Sequence, residues 1–214
     1  LRQGRRVVCN IDGLDPEKVC AYLSKRGTTV DPDMIVRITD EQLCSPGAFP
    51  TETTPGTIVR PGDLVVADEA WRFWGKDCRL SDEHKNWFRM HRHLTDPDTG
   101  TASDLVVLTQ DLPTLNPFLR NVVEFSFVFS KLKALGFSSK YSVSVFQGCS
   151  RRKTSHVSTR TKTYDRAIFP LYSSYAGGKG VEVAVDGRVS LFWSPRFIAL
   201  AAFGVAFLLY GAST

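Results

Sequence analysis

The sequence predicts an α/β fold in which a mostly parallel sheet carries helices on both faces, an antiparallel hairpin is added, and one transmembrane helix follows. Two runs, DLVVA at Asp63 to Ala67 and DLVVLT at Asp104 to Thr109, are apolar without alternation and are separated by a helical pattern. Strands apolar on both faces sit inside a parallel sheet covered by helices. From Glu124 to Lys133 and from Lys140 to Gln147 the period becomes that of strands joined around Gly136. That predicts a hairpin extending the sheet, with Ser and Lys toward solvent. The last 18 residues, Phe197 to Thr214, carry no charge, and they would make about 27 Å of helix against a hydrocarbon core of roughly 30 Å.

The elements follow in order. Arg5 to Ile11, RRVVCNI, is a buried strand candidate. Asp15, Pro16 and Glu17 start a helix that runs to about Lys25, where Gly27 stops it. Met34 to Ile38 is a second short strand. Cys44 to Gly62 contains Pro46, Pro50, Pro55 and Pro61, which predicts a loop on the surface. Ser81 with Glu83 opens a helix that carries Trp87, Phe88 and Met90 to about Leu94. Asp96 to Ser103 turns around Pro97 and Gly100, and Leu115 to Val122 forms a short helix with Pro117 in its first turn. Gly177, Gly178 and Gly180 lead to a last strand candidate, Val181 to Val185.

Residues 1–190 are thus expected to form one domain, and residues 195–214 the membrane span. Phe192, Trp193, Ser194, Pro195 and Arg196 make an aromatic and basic entry. Arg188 and Arg196 put the preceding domain on the cytoplasmic side. A buried terminal helix is the alternative for the tail.

Composition excludes several classes. With 214 residues, 43% hydrophobic and 23% charged, the chain is neither disordered nor collagen-like. A formal charge of +5 suggests an acidic partner surface. The five cysteines are widely spaced with no CxxC pair, so they read as reduced thiols in a cytosolic body, not as a zinc site. Beginning at Leu1 without an initiator methionine or a signal core, the chain reads as a piece of a longer protein.

The sharpest local chemistry is LVVADEA, Leu64 to Ala70. An apolar strand here delivers Asp68 and Glu69 to the carboxyl edge of a parallel sheet, where α/β ligand sites form. In nucleotide hydrolysis a first acid holds magnesium, directly or through water, and a second activates the attacking water. The plainer alternative is an acid serving as a helix cap. Gln110, at the end of the second apolar strand, could sense a γ-phosphate or the lytic water, or could simply satisfy loop backbone. Arg89, Arg92 and Arg120 are candidate arginine fingers, with Arg92 and Arg120 ranked first, although most helical arginines are solvated. His84, His91 and His93 have no metal-ligand spacing.

Residues 151–166 hold Arg151, Arg152, Lys153, Arg160, Lys162 and Arg166 against one acid, Asp165. This stretch suits a phosphate backbone, with Tyr164 and Tyr172 available for stacking, or anionic lipid, or plain solvation as a loop. No GxxxxGK[ST] loop occurs in the 214 residues.

GRRVVCNIDGL, GDLVVADEAW, the helix ending MHRH, DLVVLTQDLPTLNPFLR and IFPLYSSY together resemble the amino-terminal domain of the zonula occludens toxin family, the assembly ATPases of filamentous phages. The resemblance implies a P-loop NTPase-like domain using ATP and magnesium, with Asp68 and Glu69 as the Walker B pair and Gln110 as the strand-end sensor. It implies a Walker A loop upstream of Leu1. It also implies a homo-oligomeric ring in the host bacterial inner membrane, with a periplasmic carboxyl terminus. The implied partners are phage single-stranded DNA, coat proteins, and an outer-membrane secretin or other assembly proteins. The rival is a non-catalytic, membrane-anchored scaffold that binds phage DNA or coat protein.

Overall fold

In the computed structural model, residues 4–132, 137 and 139–172 are described. The apolar runs form four short strands, β1 (Val7–Cys9), β2 (Ile35–Arg37), β3 (Leu64–Ala67) and β4 (Asp104–Val107). They are parallel throughout and lie in the order β2-β1-β3-β4. Consecutive strands are joined through α1 (Pro16–Ser24), through α2 (Asp40–Leu43) with a long loop, and through α3 (Asp82–Met90). A short helix, α4 (Pro117–Asn121), follows β4.

The helix starts have local causes. Asp15 caps α1 by accepting from the Lys18 N–H, with Pro16 at the first helical position. Ser81 caps α3 by accepting from the His84 N–H, and Asp82 and Glu83 lie in its first turn. Thr39 and Gln42 form a reciprocal capping box on α2, a helix not anticipated from the sequence.

Three sequence expectations are corrected. The Pro-rich loop from Cys44 to Gly62 is not a surface feature, because Ala48, Phe49, Pro50 and Val59 are fully or almost fully buried. Phe49 packs on Trp87 at 4.4 Å between ring centroids and on His84 at 5.2 Å, inside an aromatic cluster that Trp74 and Phe88 complete. Gly47 and Phe49 donate their backbone N–H groups to Glu83, which ties the loop to α3. Secondly, β4 is not buried on both sides: Val106 is 40% exposed, as is Leu108 just past the strand at 39%, and no strand pairs beyond β4 among the described residues.

The third correction concerns the hairpin, which does not extend the parallel sheet. Strands β5 (Phe125–Lys131) and β6 (Lys140–Gln147) join β7 (His156–Thr163) in a separate three-stranded sheet. The basic stretch is therefore partly a strand, and β6 and β7 run antiparallel. Nor do Ser and Lys alone face solvent: Phe127 is 59% and Phe129 65% exposed, whereas Ser126 is 5%. The chain divides into two compact units, one containing the parallel sheet and one containing residues 126–147 and 151–164.

The amino edge of the parallel sheet is held by charge. Arg6 grips Asp63 through both Nε and Nη2, and Arg5 donates to Asp104 and to the carbonyls of Gly62, Asp63 and Ala102. Gly62 has φ +88°, and a Cβ there would meet Asp96 at 2.5 Å, so the turn feeding β3 requires glycine.

His84 Nε2 donates to the Leu43 carbonyl at 3.3 Å, and the Ser81 hydroxyl bonds Nδ1. Burial holds both His84 and His91 below the usual 6.5. A folded-state pKa below the unfolded value means the unfolded chain binds more protons, so this contribution is present above about pH 6.5 and is lost as pH falls. Asp15, Asp82, Asp96 and Asp165 are held low by hydrogen bonds and cations, so their losses begin only as pH falls to the ordinary carboxylate value and continue below it. The melting temperature is therefore expected to drop between pH 7 and 5.5, and His84→Gln should flatten that slope in a thermal-melt series.

The expected transmembrane helix at 195–214, the strand at 181–185 and the glycine step at 177–180 lie outside the described residues. Among the described residues, no helix is long and apolar enough to cross a membrane.

Candidate active site

Strand β3 ends at Ala67, and the next two residues leave the sheet at its carboxyl edge. Glu69 then takes φ 45° and ψ 41°, the one positive φ outside glycine among the described residues. A left-handed glutamate costs of order 1 kcal/mol. Its surroundings hold it there. The Ala70 N–H donates to the Leu108 carbonyl at 3.1 Å, binding the turn to the end of β4. The Trp71 indole N–H donates to Glu69 Oε2, and Gln110 Nε2 donates to Glu69 Oε1 at 3.2 Å. The strand-tip glutamate and glutamine thus share one edge and touch.

Asp68 points differently. Its Oδ1 accepts the Glu69 N–H at 3.0 Å. Burial raises its pKa above the usual value, and Glu69, Asp12 and Asp40 add repulsion in the same direction. A divalent cation would relieve that concentration of negative charge. Among the described residues, no three Asp, Glu, His or Cys side chains converge to hold a metal alone. Magnesium is ordinarily held by one or two carboxylates together with substrate phosphates. The donor set fits such an ion with Asp68 as the protein ligand.

Asn10, one residue beyond β1, was missed by sequence reasoning. The strand order 2-1-3-4 reverses between β1 and β3, where a ligand crevice normally opens. Asn10 spans that crevice: Oδ1 accepts the Asp68 N–H at 2.6 Å, while Nδ2 donates to the Asp68 carbonyl at 3.0 Å and to Asp40 at 2.7 Å. Arg72, just past the acid pair, reaches Asp40 at 3.4 Å. Asn10 and Trp71 could have been found by asking which polar group ends each apolar strand and which donor follows the acids.

These bonds predict an effect. Asn10→Ala should destabilise by about 2 kcal/mol in urea titration, since the Asp68 N–H and Asp40 lose a buried partner. Asn10→Asp should destabilise more at pH 7, placing a third carboxylate beside Asp40 and Asp68, and should recover as pH falls toward 4. Equal loss at both pH values would refute the clamp.

The other candidates are not gathered here. Arg92 follows α3 near the amino end of β4 and ion-pairs with Glu124. Arg120 lies on α4 with its Nε buried and without a hydrogen-bond partner among the described residues. Neither is hydrogen-bonded to Asp68 or Glu69. Arg89 stacks on the Phe118 ring at 4.5 Å. Arg160 and Lys162 are on β7, Arg151, Arg152 and Lys153 precede it, and Arg166 belongs to the unit of the parallel sheet. The basic stretch is therefore divided between the two units. A cavity of about 510 Å³ between the start of α1 and β2, lined by Asp15, Pro16, Pro32 and Arg37, includes neither acid.

Residues 1–179 match the family described as Zonular occludens toxin (Zot). This chain belongs to that family. Among curated Zot relatives it is 26% identical over 226 residues to the "Gene 1 protein" of Xanthomonas phage phiLf, covering 98% of this chain and 48% of that protein. It is 22% identical over 232 residues to the "Zona occludens toxin" of Vibrio cholerae serotype O1, covering 100% of this chain and 54% of that protein. The chain thus spans about half the length of the curated relatives it matches. A solved structure, the N-terminal domain of zonular occludens toxin from Neisseria meningitidis, is 20% identical, covers 79% of this chain and 80% of that one, and has a TM-score of 0.47.

Proposed function

We propose that this Zot-family chain is the P-loop-like ATP-hydrolysing domain of an inner-membrane motor that moves single-stranded phage DNA during filamentous phage assembly. The observation that carries it is the contact between Gln110 and Glu69 across the tips of β4 and β3, with Asp68 beside it. Family membership and the likeness to a phage gene product support it.

Magnesium, when bound, neutralises charge developing on the β- and γ-phosphoryl oxygens. Asp68 would hold it, directly or through water. Glu69 would accept a proton from the attacking water, and its carboxylate is kept in place by Trp71 and Gln110. Gln110 would report on the terminal phosphate, because a ligand there competes for its amide. Arg92 or Arg120 would act on the site of a neighbouring subunit in a homo-oligomeric ring, consistent with neither bonding the acids of its own chain. Coat proteins and an outer-membrane secretin or other assembly proteins are the proposed partners, and the host inner membrane the proposed location. The tail from 195 would span it.

The test is magnesium-dependent ATP hydrolysis by the full-length protein in detergent or liposomes. Phosphate release that requires both magnesium and Asp68 supports the reading. Nucleotide-independent DNA or coat-protein binding without hydrolysis would favour the scaffold instead.

A further inference from the structure

Exposed aromatic rings on a sheet face call for an occupant, because burying them is worth more than leaving them wet. Phe127 and Phe129 alternate along β5 and so share a face. Phe129 stacks on Tyr141 of β6 at 6.0 Å and 28°, and Tyr141 meets Tyr164 at 4.7 Å. On β7, Lys162 is directly opposite Tyr141 and Arg160 opposite Val143, so both cations rise on the same face. The reverse face is hydroxylic, with Ser144 bonded to Thr159 at 2.9 Å and Ser142 opposite Thr161.

Charge selects among occupants. From Phe125 to Tyr164 the sequence has eight Lys and Arg and no Asp or Glu, more positive charge than the +5 of the whole chain. The ring row and the cation row are two strands apart, about 10 Å. A nucleotide has the same polarity, a flat base at one end and a phosphate at the other. Bases lying on Phe127 and Phe129 would carry their backbone toward Arg160 and Lys162. A duplex hides its base faces and cannot use the rings, whereas a single strand can.

We propose that this face of the β5-β6-β7 sheet is a binding platform for single-stranded nucleic acid, with Phe127 and Phe129 stacking bases and Arg160 and Lys162 contacting phosphates. The platform deepens the DNA-moving part of the proposed function and rests on that reading for its biological role. Its test needs no nucleotide hydrolysis, so the two can fail separately.

Fluorescence anisotropy of the full chain with labelled dT20, nucleotide-free and over a range of salt, is the measurement. The wild type should bind dT20 more tightly than a 20-base-pair duplex. Phe127→Leu with Phe129→Leu keeps the apolar area but removes the flat rings, and should weaken dT20 binding about tenfold or more with the salt slope unchanged. Arg160→Gln with Lys162→Gln should reduce that slope by about 1.4. All four side chains are exposed, and a circular-dichroism spectrum like that of the wild type confirms that each variant is folded. Unchanged dT20 affinity in the leucine variant would overturn the platform. So would equal affinity for the duplex, or binding to phosphatidylglycerol vesicles without binding to dT20, which would identify the face as a membrane surface.

Discussion

Glu69→Gln is expected to lower ATP turnover by about a hundredfold or more while leaving nucleotide binding close to that of the wild type. A positioned general base ordinarily contributes 10²–10⁴-fold, on the order of 3–5 kcal/mol of barrier. The amide keeps the shape and the capacity to accept from Trp71, so the loss would report the proton-accepting role and not collapse of the turn. Gln110 donates to Oε1 at 3.2 Å, and Gln110→Ala should slow turnover less, because it orients without taking a proton. Phosphate release and fluorescent-nucleotide binding, measured on the same full-length preparations, separate these effects. Equal turnover in wild type and Glu69→Gln would remove Glu69 from the chemistry.

Asp63→Ala should cost about 3 kcal/mol or more of folding stability. Asp63 is almost fully buried, takes two hydrogen bonds from Arg6, and accepts the Arg60 N–H at 2.7 Å. Its removal strands a guanidinium that is largely out of water, and breaking one partner of such a pair typically costs 3–5 kcal/mol. Replacing both members, Arg6→Met with Asp63→Leu, should recover much of the loss in a denaturant titration. A single-variant loss under 1 kcal/mol would mean that the amino edge is held mainly by Arg5.

The two predictions concern opposite edges of one sheet, which were not equally legible. The carboxyl edge announced itself because an apolar strand followed by two acids is a local pattern. Gln110 was found by the same logic on the next strand. Asn10 obeys it too, but RRVVCNI reads equally well as a strand running through Asn10 to Ile11. Only the register that places β1 beside β3 shows the amide bridging to the Asp68 backbone. The roles of Arg5 and Arg6 were hidden for a similar reason, since their partners Asp104 and Asp63 are 99 and 57 residues away.

The Pro-rich loop and the aromatic face show the converse. Pro46, Pro50 and Pro55 correctly exclude regular structure, yet they say nothing about depth: Phe49 packs on Trp74 and on Trp87 of α3, and it shares one buried cluster with Val59. Along β5, alternation of Phe with Ser fixes two faces but not which one is covered. The expectation of Ser and Lys toward solvent fails on this strand because burying Ser126 puts Phe127 and Phe129 on the other side.

Short-range chemistry was therefore set by the chain itself: apolar strand runs, helix caps at Asp15 and Ser81, and the acids that end β3. Tertiary structure alone decided which strand tips meet, which loop enters the core, and which sheet face stays wet. Those outcomes depend on strand order and on packing between segments far apart in sequence, and a period of two or of 3.6 residues carries no information about either.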